Sequence, residues 1–448
     1  GGFVRSGGQT AKIRDWLGAA GVVLETLDRT AVGTALETVE DSAAREVLLI
    51  RQELAKSSVK KLDAFEARTS RDCRARDNLM FCGASTGRWS GRGIQLQNLP
   101  RMSMNVRTYK PNHTDEDISL GFKLLHTRDP RAFESVIGPP ALVISDMLRG
   151  FIRAPTGKRF IKGDFSNIEG RVLAWLADEK WKLKAFADFD RKEGPDLYLL
   201  AAAKIFNVRA SSLNKESPER MPGKVAELAC GFQGGYVAFQ KMAKLYDVKL
   251  TDDAARDIVA GWRDGNPNIV ELWKRLERAA MHAVKNPGMP CRVGKLVFKA
   301  GRRLLSIELP SGRKLYYIDP RIKMILTPWD EEKEAVTAMS VVMDQRKVDH
   351  SIQDETSFPR WQRVSMYGGL IAENVTQATA RDCMVEAMFH LEEAGYPLVL
   401  TVHDELIAEV DLGFGSVEDF EMLMGKGAPW MQGLPVAVVA DECLRYRK

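Results

Sequence analysis

The chain has 448 residues, 45% hydrophobic and 28% charged, with 65 lysines and arginines against 60 aspartates and glutamates for a net charge of +5. That length suits about three domains at roughly 150 residues each, and the composition excludes a disordered, collagen-like or coiled-coil chain and an acidic solvating domain. Cys73, Cys82, Cys230, Cys291, Cys383 and Cys443 stand singly with no Cys-x-x-Cys pair, which excludes a zinc-ribbon pattern and fits a reduced, cytoplasmic protein; no apolar run reaches the ~18 residues of a membrane span.

The first ten residues are glycine-rich and polar, unlike a cleavable signal, and the opening Gly1-Gly2 reads as a cloning remnant or as a cut through a longer protein. Residues 39–76 are expected as helix, because Ala43, Val47, Ile50 and Leu54 recur at helical spacing with charges opposite. From 71 to 110 the bases Arg71, Arg74, Arg76, Arg88, Arg92, Arg101, Arg107 and Lys110 face only Asp72 and Asp77, a net +6 that exceeds the charge of the whole chain. Residues 158–164 read as a short strand and 168–176 as the helix after it. Further helices are expected over 195–206 and 217–232, and over 252–286 with a break at Gly265-Asn266-Pro267. From 293 to 322 apolar and polar residues alternate around Leu309-Pro310-Ser311-Gly312, a hairpin pattern. Residues 371–391 return to helix, and 397–410 read as two strands flanking His403-Asp404-Glu405. This order predicts an α+β fold whose sheet is built from distant segments.

Three constellations carry chemistry. Asp164 and Asp404 sit at the ends of apolar strands, where a carboxylate has no packing role. Brought together, they suit hard divalent ions that serve in-line phosphoryl displacement. Either aspartate alone reads first as a turn or cap residue. Arg220, Lys224, Leu228 and Phe232 recur every four residues, so one helical face is cationic at one end, to grip a triphosphate, and apolar at the other, to receive a base. By spacing alone this is also an ordinary amphipathic helix. Residues 85–100 combine Arg88 and Arg92 with Gln95, Gln97 and Asn98 in a glycine-rich loop, an inventory suited to phosphates and minor-groove acceptors.

In this order the constellations resemble the polymerase module of family A DNA polymerases, the group that includes bacterial DNA polymerase I and many phage replicases. Asp164 through Glu169 and Arg171 resembles motif A, Arg220 to Phe232 motif B, and Val402-His403-Asp404-Glu405 motif C. Thr86-Gly87-Arg88 with Gln97-Asn98 resembles the primer-template signature, and Asp196-Leu197-Tyr198 and Glu373-Asn374 with Gln377 match smaller landmarks. The resemblance implies a right-hand fold: a partial helical thumb over 1–80, a palm with an antiparallel sheet over 81–178 and 341–448, and helical fingers over 179–340 with a β-hairpin near 293–322. An insertion at 101–147 and that hairpin look phage-like.

The resemblance further implies that Asp164 and Asp404, with the backbone carbonyl of Phe165, bind two magnesium ions, for which manganese substitutes, and that Glu405 supports them. Arg220 and Lys224 would hold the incoming nucleotide's phosphates, Lys224 serving as acid for the leaving pyrophosphate, with Tyr198 nearby and Leu228 and Phe232 below. Arg88, Gln97, Asn98, Gln377 and His403 would contact primer-template DNA. The implied activity is DNA-directed DNA synthesis from deoxynucleoside triphosphates in phage replication, in company with an exonuclease domain or other replication proteins and with no membrane partner. Glu169 would block the ribose 2′-hydroxyl, which argues against a single-subunit RNA polymerase. The intact Asp164, Lys224 and Asp404 argue against a silent DNA-binding relative. Leu228 and Phe232 stand where the family has aromatic and tyrosine residues, and Phe165 and Asn167 where tyrosine and glutamine are common.

Overall fold

Three N-terminal helices, α1 (Thr10–Ala19), α2 (Arg29–Thr38) and α3 (Ser42–Leu54), close on their own small core of Ile13, Leu17, Leu27, Val32, Ala44 and Leu48 in the computed structural model. The structure describes residues 9–54, 61–100, 115–137, 140–246, 248–327, 330–342 and 360–447. Arg101, Arg107, Lys110 and the first part of the 101–147 insertion lie outside them. The expectation of one helix over 39–76 is corrected. Asp41 starts α3 by accepting from the Ala44 amide at 2.6 Å, and α4 (Lys61–Arg68) ends in a loop where Thr69 bridges Ala75, so 69–76 is not helix. Cys73 turns that loop with a φ of +60°. The Asp72 carboxylate takes the Arg74 amide and the Arg76 guanidinium there, local polar bonds that compete with helix.

A short pair, β1 (Leu79–Met80) and β2 (Ser90–Gly91), brackets the Arg88 loop, and three helices, α5 (Asp115–Thr127), α6 (Pro130–Val136) and α7 (Pro140–Met147), gather around Phe133, Val143 and Met147. Then β3 (Lys158–Phe165) leads into a helical region: α8 (Ile168–Ala177), α9 (Lys180–Asp190), α10 (Leu197–Ile205), α11 (Arg220–Cys230), α12 (Tyr236–Leu245), α13 (Asp252–Gly265) and α14 (Pro267–Lys285). Asn266 and Pro267 separate the last two where the sequence pattern breaks, proline being tolerated at a helix's first position.

The expected hairpin at 293–322 is part of a larger structure. It belongs to a six-stranded antiparallel meander, β4 (Cys291–Val293), β5 (Leu296–Ala300), β6 (Leu304–Glu308), β7 (Lys314–Leu326), β8 (Glu332–Val342) and β9 (Arg360–Ser365). The division drawn at 340/341 therefore falls inside β8. The outer half of β7 escaped the period-two reading because it projects from the core: Met324 and Leu326 are exposed, so no buried face imposes alternation.

The chain closes with α15 (Gly368–Glu393), β10 (Leu398–Val402), β11 (Glu405–Asp411), α16 (Val417–Gly425) and β12 (Val438–Cys443). The second sheet has the order β10-β11-β3-β12, all antiparallel. Alternation divides its faces. Ile161, Phe165, Leu406 and Ala408 join the main core, which holds α8, α11, α13, α14, α15 and α16. Phe160, Val402, Ile407 and Tyr446 form a second core on the other face with Ile94, Leu96 and Leu99 of the loop after β2. Asp164, in step with Phe160, lies on this loop-covered face. At the start of α15 a Cβ on Gly369 would meet the Phe232 carbonyl at 2.3 Å. Only glycine lets α15 press against the end of α11. Among the described residues no helix is long and apolar enough to cross a membrane.

Candidate active site

The sheet brings the two aspartates of the sequence reading together. Glu405 is the register partner of Asp164, and Asp404 precedes it in the two-residue turn between β10 and β11. The Phe165 amide donates to the Asp404 carbonyl at 3.2 Å. His403 makes that turn tight by adopting a φ of +60°, the left-handed conformation such hairpins use. Opposed residues of an antiparallel pair share a face, so Asp164 and Glu405 point the same way. Glu405 is 1% exposed and is held on both oxygens: the Tyr446 hydroxyl donates to Oε2 at 2.6 Å, and the Lys162 ammonium lies 3.7 Å from Oε1. Burial, and then the charge of Glu405, push the Tyr446 phenol far above its ordinary range, so it remains a donor. Arg149 donates to the Tyr446 oxygen at 2.8 Å and to the Leu99 and Pro100 carbonyls at 2.9 Å each. The same loop meets the turn where the His403 imidazole Nε2 lies 3.1 Å from the Gln97 carbonyl, and Asn98 beside it is exposed.

The oxygen donors at this sheet end, the Asp164 and Asp404 carboxylates and the Phe165 carbonyl, are all hard, the set that magnesium or manganese takes. Among the described residues no group of three or more His, Cys, Asp or Glu gathers to hold a metal. An ion that uses one or two carboxylates and completes its shell from phosphates and water requires no such group.

After β3 the chain turns sharply through Asn167, φ +50°, whose side chain caps α8 by accepting from the Gly170 amide at 3.3 Å. Arg171 fixes this turn from inside. It is 1% exposed, its Nε donates to the Ser166 carbonyl at 2.7 Å, and its fork grips Asp190 at 2.6 and 2.7 Å. Glu169 accepts from Arg88 at 2.5 Å. Gln377 donates to Glu373 at 3.2 Å, and Glu373 lies in the field of both Glu169 and Arg88. Burial first and the Glu169 charge second raise the Glu373 carboxyl above its ordinary value. Arg88, Glu169 and Gln377 thus form one cluster joined through Glu373, a residue the sequence marked without a role.

On α11 the cationic face is preorganised. Arg220 donates twice to the Asp196 carboxylate, at 3.0 and 2.9 Å, while the other Asp196 oxygen caps α10 at the Leu199 amide. Lys224 lies 5.9 Å from the Tyr198 ring centre and 4.8 Å from that of Tyr246, cation–π distances. Burial raises the Tyr198 phenol. A Cβ on Gly223 would sit 2.6 Å from the Tyr198 carbonyl, which is what allows α10 and α11 to touch. One turn on, Leu228 is 40% exposed and Phe232 is half-buried against the core. Behind this face Lys182 and Glu227 form an almost fully buried ion pair at 2.8 Å, and the Trp262 indole donates to Glu227 at 2.8 Å. Neither this pair nor Tyr446 and Arg149 carries a sequence signal, because each joins residues far apart in the chain.

No family model matches the chain. It is 36% identical over 442 residues to a DNA polymerase of Bacillus phage SP02, an alignment that covers 98% of this chain and 63% of that protein. The chain thus spans less than two thirds of the length of the curated relative it matches. Among solved structures it shares the fold of the POL domain of Pol1 from M. smegmatis, determined in complex with DNA primer-template and dNTP, with a TM-score of 0.55 and 17% identity over 94% of this chain and 56% of that one.

Proposed function

We propose that this chain is the polymerase part of a family A DNA-directed DNA polymerase that extends a primer on a DNA template with deoxynucleoside triphosphates, in phage replication inside the host cell. The observation that carries the reading is the register that sets Glu405 against Asp164 with Asp404 in the adjoining turn. The 36% identity to a phage DNA polymerase supports it. We assign the palm to the β3-β10-β11-β12 sheet with α15, and the fingers to the helices from α9 to α14 with the six-stranded sheet. The N-terminal helices are the partial thumb.

Asp164, Asp404 and the Phe165 carbonyl would hold magnesium. Magnesium, when bound, makes a primer 3′-hydroxyl a stronger nucleophile and stabilises charge on the phosphates. Glu405, locked by Tyr446 and Lys162, keeps the Asp404 turn in place. Arg220 and Lys224 receive the triphosphate, and the Lys224 ammonium is the group able to give a proton to the departing pyrophosphate. Leu228 and Phe232 offer the apolar floor for the base, and Tyr198 closes the cationic end. Glu169 excludes the 2′-hydroxyl. Arg88, Gln377 and His403, with the Gln97-Asn98 loop, read minor-groove acceptors common to all base pairs, which checks pair shape without reading sequence. Arg88 is paired with Glu169, so the two act together on the terminal pair and the incoming sugar.

A labelled primer-template supplied with magnesium and either deoxy- or ribonucleoside triphosphates tests the reading. Extension with the deoxy set is expected. Extension only with the ribo set would replace it by RNA synthesis, and DNA binding with no extension by a non-catalytic role.

A further inference from the structure

Asp382, on α15, is 5% exposed and accepts from three donors: the Ser311 hydroxyl, Arg313 Nε at 2.7 Å and Arg381 Nη1 at 3.3 Å. Ser311 and Arg313 come from the β6–β7 turn, whose hairpin pattern had no function attached. Each arginine also donates to a backbone carbonyl of the loop before Arg88. Arg313 Nη2 donates to the Thr86 carbonyl at 3.1 Å and to the Ala378 carbonyl at 2.9 Å, and Arg381 Nε donates to the Gly87 carbonyl at 3.1 Å. The Arg381 guanidinium also lies 4.8 Å from the Trp89 ring centre. Gly87 has a φ of +84°, and a Cβ there would fall 2.6 Å from Arg313 Nη1. The two carbonyls so gripped immediately precede Arg88.

We infer that Asp382, Arg313 and Arg381 are positioning residues that fix the backbone before Arg88 and so set the aim of its guanidinium at the primer end. This rests on the proposed polymerase reading. A guanidinium fork can bridge a carboxylate and a carbonyl at fixed angles, whereas the three donors of a lysine ammonium diverge from one rotatable nitrogen and hold no fixed geometry. A loop released by an ångström misplaces a contact group enough to cost up to about a hundredfold in rate.

The test measures single-nucleotide extension for the wild type, Arg88→Ala, Arg313→Lys and the double variant, with hydrogen exchange at the Gly87 amide and thermal melting alongside. Arg313→Lys is expected to lower kcat/KM by about tenfold or more and to speed Gly87 exchange. In the Arg88→Ala background the same substitution costs less than about twofold, because its effect passes through Arg88. Ser311→Ala, which leaves both arginines in place, is expected to show the same dependence on Arg88 at about threefold and serves if Arg313→Lys does not fold. An undiminished loss in the Arg88→Ala background, or unchanged Gly87 exchange, would overturn the inference. Failure of the wild type to extend a primer while Arg313→Lys still speeds Gly87 exchange would overturn the polymerase reading and leave the clamp standing.

Discussion

Replacing Tyr446 by phenylalanine removes one oxygen from beneath the proposed metal site and leaves the ring's packing intact. That oxygen donates at 2.6 Å to a carboxylate that is 1% exposed, whose other neighbour, the Lys162 ammonium, stands 3.7 Å away. A hydrogen bond to a buried charge is worth about 1.5–3 kcal/mol, and the depth of Glu405 places the loss in the upper half of that range. Arg149 loses an acceptor but keeps the Leu99 and Pro100 carbonyls, so the loop they belong to stays put. If about half of the loss is felt at the Asp404 turn, kcat falls about tenfold while KM for primer-template stays near the wild-type value. Because burial and Glu405 both push the phenol far above its ordinary range, the donor is protonated throughout the working range and the defect must not vary with pH. Urea denaturation and steady-state extension at several pH values check this. A stability loss below about 0.5 kcal/mol with unchanged kcat, or a defect that appears only at high pH, refutes the reasoning.

Glu227→Ala strands the Lys182 ammonium, 3% exposed, and the Trp262 indole, so unfolding free energy drops by about 3–5 kcal/mol; a loss under about 1 kcal/mol would mean the pair is dispensable. Glu373 is a carboxyl whose folded pKa lies above its unfolded value, so the folded state binds the proton more tightly and stability falls as pH rises through that window. Glu373→Gln should therefore raise the melting temperature at pH about 7.5 and give no such gain at pH about 3.5, and a gain equal at both would contradict the assignment. Phe232→Tyr supplies the hydroxyl that the family resemblance expects at this position; if that hydroxyl acts with Glu169 to exclude the 2′-hydroxyl, the ratio of ribo- to deoxynucleotide incorporation should fall, and an unchanged ratio would mean that Phe232 has no part in sugar selection.

Much of the fold was legible because the chain's patterns are strong where burial is strong. The strand 158–164 extends by one residue, and the helix expected over 252–286 breaks at Asn266-Pro267 as read. Asp164 and Asp404 stood out because carboxylates ending apolar strands have no packing reason, and pairing brings them together. The six-stranded sheet was underestimated because the outer half of β7 is exposed while β8 buries Ala335, Val336, Thr337 and Ala338 in an unbroken run, so neither strand alternates. The supports of the site were illegible for another reason. Tyr446 beneath Glu405, Asp382 beneath the Arg88 loop and Glu227 on the inner face of α11 are single residues that no local pattern singles out. Their meaning lies in contacts with chain segments far away in sequence, which local periodicity does not encode.

The central claim is that Asp164 and Asp404 together hold the ions that drive primer extension. Its most direct test is single-turnover extension by Asp404→Asn, with magnesium and a bound primer-template, beside the wild type. Asparagine keeps the turn's shape and removes the charge, so the account predicts a loss well beyond the ~10–100-fold typical of residues that only support a metal ligand, with DNA affinity and melting temperature preserved. Extension at the wild-type rate by Asp404→Asn would contradict it.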